Sequence, residues 1–177
     1  LGIPQCCARF YVENQDLAMA KQNDYVPLVL RNTKGMAPYD PLLNYVAQYF
    51  GYSLISFFPC SFSCQHAKHV AQRSYDALAA IAPNLAEETL RFQRTPILYT
   101  EYRGLYAFED AHFDPETRVM TYDRMRIHGT VPVTSSVFRQ LLSGNRLQIL
   151  EKDYVRILHG NDHVAELRGE NVSACIF

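Results

Sequence analysis

The chain has 177 residues, and 17 Lys and Arg stand against 18 Asp and Glu, which gives a formal net charge of −1. A hydrophobic content of 48% with 20% charged residues is typical of a folded protein and excludes wholesale disorder. The balanced charge argues against a dedicated nucleic-acid-binding protein, which needs a basic surface. No apolar run approaches the ~20 residues that a membrane-spanning helix requires, so we expect no membrane segment.

The first half of the chain is predicted to be mainly helical. Pro4 is typical of a helix start, where its missing N–H costs no hydrogen bond. Asp40 followed by Pro41 predicts an N-cap and the first turn of another helix. In chain order we expect a helix from Gly2, a short apolar piece at 25–30, a helix at 42–50 ended by Gly51, a buried strand at 52–58, a helix from Ser61 to about Ala82 and a helix at 85–93.

The second half is predicted to consist mostly of strands. Alternating or continuous apolar runs predict strands at 95–101, 105–108, 118–127, 147–150, 154–158 and 164–167, with one helix at 134–142. Hairpin turns are expected at Arg103-Gly104 and at residues 159–162. This order favours an α+β fold, with helices mainly in the N-terminal half packed on a mostly antiparallel sheet from the C-terminal half.

We expect a single domain over residues 1–177, because that length suits one hydrophobic core. Within this domain, the helical, cysteine-bearing part extends to about residue 94, and the strand-rich part begins at about residue 95.

Four of the five cysteines form two close pairs, Cys6-Cys7 and Cys60/Cys64. Each pair closely follows a proline, and each is predicted to lie in or beside the first turn of a helix. Unpaired N–H groups and the helix dipole stabilise negative charge there, so thiolates are favoured. If the two helix starts face each other, four sulfurs surround one metal centre. Cys175 is predicted to be an apolar core residue instead.

Several cofactors fit four thiolates. Adjacent Cys6 and Cys7 suit zinc poorly, because structural zinc sites use cysteines two to four residues apart. Neighbouring side chains reach different irons of a cluster more easily, so an iron–sulfur cluster is the leading interpretation, with a 4Fe-4S cluster preferred. Structural zinc, a disulfide or thiol redox couple, and buried free cysteines are the alternatives.

The helix after Cys64 carries His66, His69 and Arg73 on one face, at positions i, i+3 and i+7. Two imidazoles and a guanidinium near a metal suit acid–base chemistry on an anionic substrate. We therefore take these three residues as candidate catalytic residues. The alternative is a solvated polar face in which Arg73 pairs with Asp76 or another acidic residue.

Other candidate motifs are weak. Residues 109–114 gather three carboxylates and an imidazole, but the Asp114-Pro115 stretch that follows is typical of a loop between strands. A glycine-rich phosphate loop, GxSxG, HExxH and CxxCH are all missing from the sequence.

These features predict a cytoplasmic metal-binding protein, with an iron–sulfur oxidoreductase or lyase favoured over a protein without catalytic activity. In that interpretation the cluster serves a redox or Lewis-acid role, and the partner is a small, possibly anionic substrate or an electron-transfer partner. A zinc-stapled protein-interaction domain is the second hypothesis. A thiol redox or cysteine-nucleophile enzyme is the third, with Cys60 or Cys64 activated by the helix end.

Overall fold

The computed structural model describes residues 2–35, 38–100, 104–129, 135–169 and 172–177. Helices occupy mostly the N-terminal half and strands the C-terminal half, which confirms the predicted α+β class. The chain divides into two compact units between Arg94 and Thr95. Of the described residues, unit 1 contains 2–35, 39–94 and 177, and unit 2 contains 38 and most of 95–176. The prediction of a single domain stays a prediction.

Unit 1 is built from helices and short turns. Its helices are α1 (Gln5–Glu13), α2 (Gln15–Met19), α3 (Val26–Asn32), α4 (Gln65–Ile81) and α5 (Pro83–Gln93), with 3-10 turns at Pro41–Leu43 and Tyr45–Phe50. The apolar piece at 25–30 thus lies largely in a helix, because a proline is tolerated in the first turn.

The segment after Asp40 starts as predicted but does not form an α-helix. The Asp40 carboxylate accepts a hydrogen bond from the Leu42 N–H at 3.1 Å, which confirms the N-cap. Asn44 then caps a new turn by accepting from the Ala47 N–H, so two 3-10 turns replace one helix. The segment ends at Gly51, whose φ of +91° is the left-handed conformation that favours glycine.

The predicted strand at 52–58 is wrong. These residues form an irregular segment in which Leu54 and Ile55 are nevertheless buried. The Phe58 ring stacks on Tyr25 with centroids 4.4 Å apart and packs against Tyr45 at 4.5 Å. Tyr25 is fully buried, and its hydroxyl donates to the Tyr11 carbonyl at 3.0 Å. The apolar run at 52–58 therefore indicates burial but does not indicate a strand.

Unit 2 contains two antiparallel sheets. One has strand order β5-β2-β1-β9 and the other β3-β4-β6-β7-β8. The strands are β1 (Ile97–Thr100), β2 (Gly104–Glu109), β3 (His112–Asp114), β4 (Val119–Thr121), β5 (Arg124–His128), β6 (Arg146–Glu151), β7 (Tyr154–His159), β8 (Asp162–Arg168) and β9 (Val172–Cys175). Helix α6 (Ser136–Ser143) precedes β6.

The core of unit 2 lies between these sheets and α6. Buried residues of β2, β4, β6 and β7 form one apolar cluster with Val137 and Leu141 of α6. The Tyr122 hydroxyl donates to the Leu141 carbonyl at 2.7 Å. Gly144 ends the helix where space is short, because a Cβ there would lie 2.4 Å from Ile157 Cγ2. The helix is thus held closely against β7.

Several strand predictions need correction. The single strand at 118–127 is two strands, β4 and β5, which belong to different sheets and are separated at Tyr122–Asp123. Strands β3 and β9 were not predicted. The hairpin at 159–162 is confirmed, since His159 pairs with Asp162. Arg103 of the other predicted turn and Thr134 of the predicted helix lie outside the described residues.

Candidate metal centre

Unit 1 brings four cysteine sulfurs together. Cys6 and Cys7 lie in the first turn of α1, Cys60 lies in the segment before α4, and Cys64 is the N-cap of α4. Their Sγ atoms all lie within 4.8 Å of one another. The distances are 3.7 Å for Cys6–Cys64, 3.8 Å for Cys7–Cys64 and 3.9 Å for Cys6–Cys7. These four residues, which we call the four-cysteine group, can hold a metal ion.

Local sequence places the first pair. Pro4 has extended backbone angles (φ −61°, ψ 140°) and is the N-cap of α1, without a side-chain cap. Its carbonyl accepts from the Cys7 N–H at 3.0 Å, which closes the first turn. Both cysteines therefore stand at the end of α1 where unpaired N–H groups favour negative charge.

The second pair is held by the end of α3. The Asn32 side-chain amide donates to the Cys60 carbonyl at 2.6 Å, and the Phe62 N–H donates to Thr33 Oγ1 at 2.9 Å. A turn from Ser61 to Cys64 precedes α4, and the Cys64 sulfur caps the helix by accepting from the Ala67 N–H at 3.5 Å. Helix α4 thus begins at Gln65, and the predicted start at Ser61 is wrong.

The surroundings shift the pKa values of Cys7, Cys60 and Cys64 in different directions. Burial raises the pKa of the Cys7 thiol well above its ordinary range, although the Cys60 N–H that donates to this sulfur at 3.4 Å lowers it in part. Burial also raises the pKa of Cys60, to about 12. For Cys64, burial raises the pKa, but hydrogen bonds from the Ala67 N–H and the neighbouring thiols outweigh it, and the net pKa is lowered. Four thiolates this close need a cation to balance their charge.

The predicted catalytic residues lie beside the cysteines on α4. His66 Nδ1 is 3.7 Å from Cys6 Sγ. His66, His69 and Arg73 are exposed and line a groove of about 540 Å³ together with Gly2 and Pro4. Asp76 accepts a hydrogen bond from Gln72 at 2.8 Å, and Arg73 forms no ion pair with any described residue. The catalytic assignment stays a prediction.

A second groove was missed by sequence reasoning. It measures about 510 Å³ and is lined by Cys6, Cys60, Arg9, Arg31 and other residues of α1 and α3. Arg9 follows Cys6 by three positions, which places the two on one face of α1, so this signal was available. Arg31 reaches the groove because α3 packs beside it, and no sequence pattern relates Arg31 to the cysteines.

The remaining candidates lie in unit 2 and have structural partners. Cys175 is buried in β9, opposite Ile97, and does not belong to the four-cysteine group. In the acidic stretch, Glu109 pairs with Arg126 and Asp110 with Arg124. The Asp114 carboxylate accepts from the Thr117 hydroxyl and the Glu116 N–H, and these two bonds hold its pKa below the usual range. These residues thus belong to the end of β2, a tight turn and β3, and the loop predicted after Asp114 is confirmed at 115–118, between β3 and β4.

Comparison of the chain with family models, with curated proteins and with solved structures finds no match. The search for membrane segments finds, among the described helices, none with the length and apolar character to cross a bilayer.

Proposed function

We propose that this chain is a metal-binding protein in which Cys6, Cys7, Cys60 and Cys64 hold one tetrahedrally coordinated zinc ion. The ion would join three parts of unit 1: the start of α1, the segment before α4 and the start of α4. The start of α1 is distant in sequence from the other two. Its role is to fix the fold of unit 1, as in the zinc-stapled domain that the sequence offers as its second hypothesis.

The spacing of the sulfurs is the observation that carries this proposal. A Zn–S bond is about 2.3 Å long, so the sulfurs of a regular tetrahedron around zinc stand about 3.8 Å apart. The three distances among Cys6, Cys7 and Cys64 are 3.7, 3.8 and 3.9 Å. Cys60 completes the group, with its sulfur within 4.8 Å of the others. The adjacent cysteines thus supply two corners of one small tetrahedron.

The iron–sulfur cluster that sequence spacing favours remains the alternative. In a four-iron cluster each thiolate binds a different iron at a different corner, so the thiolates stand farther apart than around one ion. The four-cysteine group would have to open to admit such a cluster. A single thiolate-bound ion needs no such movement, which is why zinc replaces the cluster as the first choice.

The backbone around the sulfurs also suits a bound ion. The Cys60 N–H and the Ala67 N–H each donate to a cysteine sulfur, at 3.4 and 3.5 Å. Hydrogen bonds of this kind orient ligands and spread their negative charge, as outer-shell groups commonly do around metals. Thiolates must stay reduced to bind, so we expect the protein to work in a reducing compartment such as the cytoplasm.

The test is metal analysis of protein purified without oxygen, with an ultraviolet–visible spectrum. We expect one zinc per chain, no acid-labile sulfide and no colour. Several irons per chain with sulfide would establish the cluster and overturn the zinc assignment. Protein that takes up neither metal, even when refolded with each, would contradict the metal centre altogether.

A catalytic role is the second candidate, and the groove along α4 favours it. His66, His69 and Arg73 line this groove, Gln72 contributes an amide, and no carboxylate is among its described lining residues. A small anionic substrate would meet Arg73 there, with an imidazole within reach as acid or base. Arg73→Ala should keep the metal and weaken binding of inorganic phosphate, measured by calorimetry. Unchanged phosphate binding would leave this face a solvated helix surface.

A further inference from the structure

The sulfurs of the four-cysteine group differ in exposure. Cys7 and Cys64 are buried, at 1% and 8% relative exposure, and we call them the inner sulfurs. Cys6 and Cys60 are partly exposed, and we call them the outer sulfurs. The groove of about 510 Å³ between α1 and α3 is lined by both outer cysteines. A small molecule in this groove meets Cys6 and Cys60 first.

Hydrogen bonding divides the sulfurs in the same way. Each inner sulfur accepts a backbone N–H, from Cys60 for Cys7 and from Ala67 for Cys64. Over the described ranges of the chain, no backbone N–H donates to either outer sulfur. Cys6 has instead the exposed His66 imidazole, with Nδ1 at 3.7 Å. A backbone N–H fixed on a sulfur ties up a lone pair, so an exposed thiolate without such a donor is the better nucleophile.

The groove is also cationic. Arg9 and Arg31 line it, and neither forms an ion pair within the part of the chain that the structure describes. Glu13 lines it too, so the lining carries two guanidinium groups and one carboxylate. Four thiolates and one Zn²⁺ carry a net charge of −2, and these arginines offset that charge for an approaching anion.

We propose that the outer sulfurs, Cys6 and Cys60, are nucleophilic metal-bound thiolates that react with small carbon electrophiles bearing a carboxylate or phosphate group held by Arg9 and Arg31. This inference rests on the metal centre proposed above. In the reaction, a sulfur lone pair forms the S–C bond while the bond from carbon to its leaving group breaks. The leaving group departs with that electron pair, the thiolate becomes a neutral thioether, and no outside oxidant or reductant takes part.

The first test maps where alkylation begins. Protein loaded with zinc, with its metal content checked by native mass spectrometry, receives less than one equivalent of iodoacetamide. Tandem mass spectrometry then distinguishes Cys6 from Cys7 and Cys60 from Cys64. We expect the outer sulfurs to react at least about tenfold faster than the inner sulfurs. Equal rates, or faster reaction at Cys7 or Cys64, would overturn the proposal. This test uses only the wild-type chain, so its result does not depend on whether a variant folds correctly.

The second test asks whether the groove selects an anion. Iodoacetate and iodoacetamide differ in charge, and the ratio of their rates is compared with the ratio for N-acetylcysteine. We expect the ratio at the outer sulfurs to be about threefold higher than for the free thiol, and Arg31→Gln, which leaves Arg9 in place, to lower that excess by about half or more. Arg91→Gln, an exposed arginine in the last turn of α5, is the matched control and should change nothing. A ratio no higher than that of the free thiol, or one that Arg31→Gln leaves unchanged, would contradict the anionic class of electrophile.

The two proposals fail in different ways. A protein that binds no metal overturns the proposed function before any electrophile is added. If the protein holds one zinc but its inner sulfurs are alkylated first, the proposed function stands and only the nucleophile assignment is overturned.

Discussion

The two units of this chain differ in their internal structure. Unit 2 has nine strands in two antiparallel sheets among its described residues, with a continuous apolar core that includes Ile157, Leu147 and Phe108. Unit 1 has helices as short as five and seven residues, and an irregular segment precedes its longest helix. The four-cysteine group lies where that segment, α1 and α4 meet.

We therefore expect each unit to obtain its stability from a different source. Sheet register in unit 2 is specified by alternating buried side chains, so the apolar core suffices. Isolated helices shorter than ~12 residues are marginal in water, so α1, α2, α3 and α5 of unit 1 depend on tertiary contacts. Its aromatic contacts supply part of that stability, and the rest would come from the metal ion proposed above.

Removing the metal should have the greatest effect. A chelator should strongly lower, without abolishing, the protection of unit 1 amides against hydrogen exchange and leave that of unit 2 amides nearly unchanged, because binding energy at a structural site is folding energy. Hydrogen-exchange mass spectrometry with and without chelator measures this. Equal loss of protection in both units would contradict separate sources of stability.

The next effect comes from removing one ligand. Cys64→Ser should abolish metal binding and also weaken the cap of α4, and it should cost unit 1 more than about 4 kcal/mol of its free energy of unfolding. Metal content and urea unfolding give the two readouts.

Cys175→Ser is the matched control for that variant, because Cys175 is also buried but lies in β9 of unit 2. It should keep a full complement of metal and cost about 1–3 kcal/mol for a buried hydroxyl group. Metal retained by Cys64→Ser, or lost by Cys175→Ser, would show that the ligands are misassigned.

A core substitution in unit 2 should have an effect of intermediate size. Ile157 is fully buried on β7, so Ile157→Ala should cost about 2–5 kcal/mol through the cavity that it leaves. Metal content and the exchange protection of α1 and α4 should not change. Release of metal by this variant would mean that the two units share one source of stability.

A graded dependence on pH in chelated protein should be the weakest effect. Burial raises the pKa of Cys7 and Cys60, so the folded chain keeps two protons that the unfolded chain gives up near pH 9. Their contribution to stability is present below that pH and is lost as the pH rises toward the folded-state pKa values. The lowered pKa of Cys64 has the opposite effect on stability, but it is one thiol, whereas two thiols have raised pKa values.

Circular dichroism of urea unfolding between about pH 8 and pH 10 tests this dependence. Chelated protein should lose stability over that range, whereas metal-loaded protein should lose less because its thiols are already deprotonated. A chelated protein that becomes more stable as the pH rises would contradict the assigned burial of Cys7 and Cys60.

Local signals allowed much of the fold to be predicted. Asp40 and Gly51 were identified from capping chemistry, and the hairpin at 159–162 from its turn residues. Long-range packing decided the rest. Phe58 of the run at 52–58 packs on Tyr25 and Tyr45, which no local pattern predicts. The break between β4 and β5 falls at Tyr122, whose hydroxyl donates to the Leu141 carbonyl of α6, again a contact distant in sequence.

The site divides in the same way. Cysteine spacing and helix starts were enough to select Cys6, Cys7, Cys60 and Cys64 as a group. The identity of the ion depends on sulfur-to-sulfur distances that spacing cannot give, and spacing favoured a cluster because adjacent cysteines rarely share one zinc. Arg31 reaches the groove through the position of α3, which is a tertiary feature.

X-ray absorption spectroscopy of the purified protein at the zinc and iron edges would decide the identity of the metal. We expect zinc with four sulfur neighbours at about 2.3 Å and no second metal nearby. Iron with bridging sulfide and a neighbouring iron, or zinc bound mainly by nitrogen or oxygen, would contradict the proposed centre.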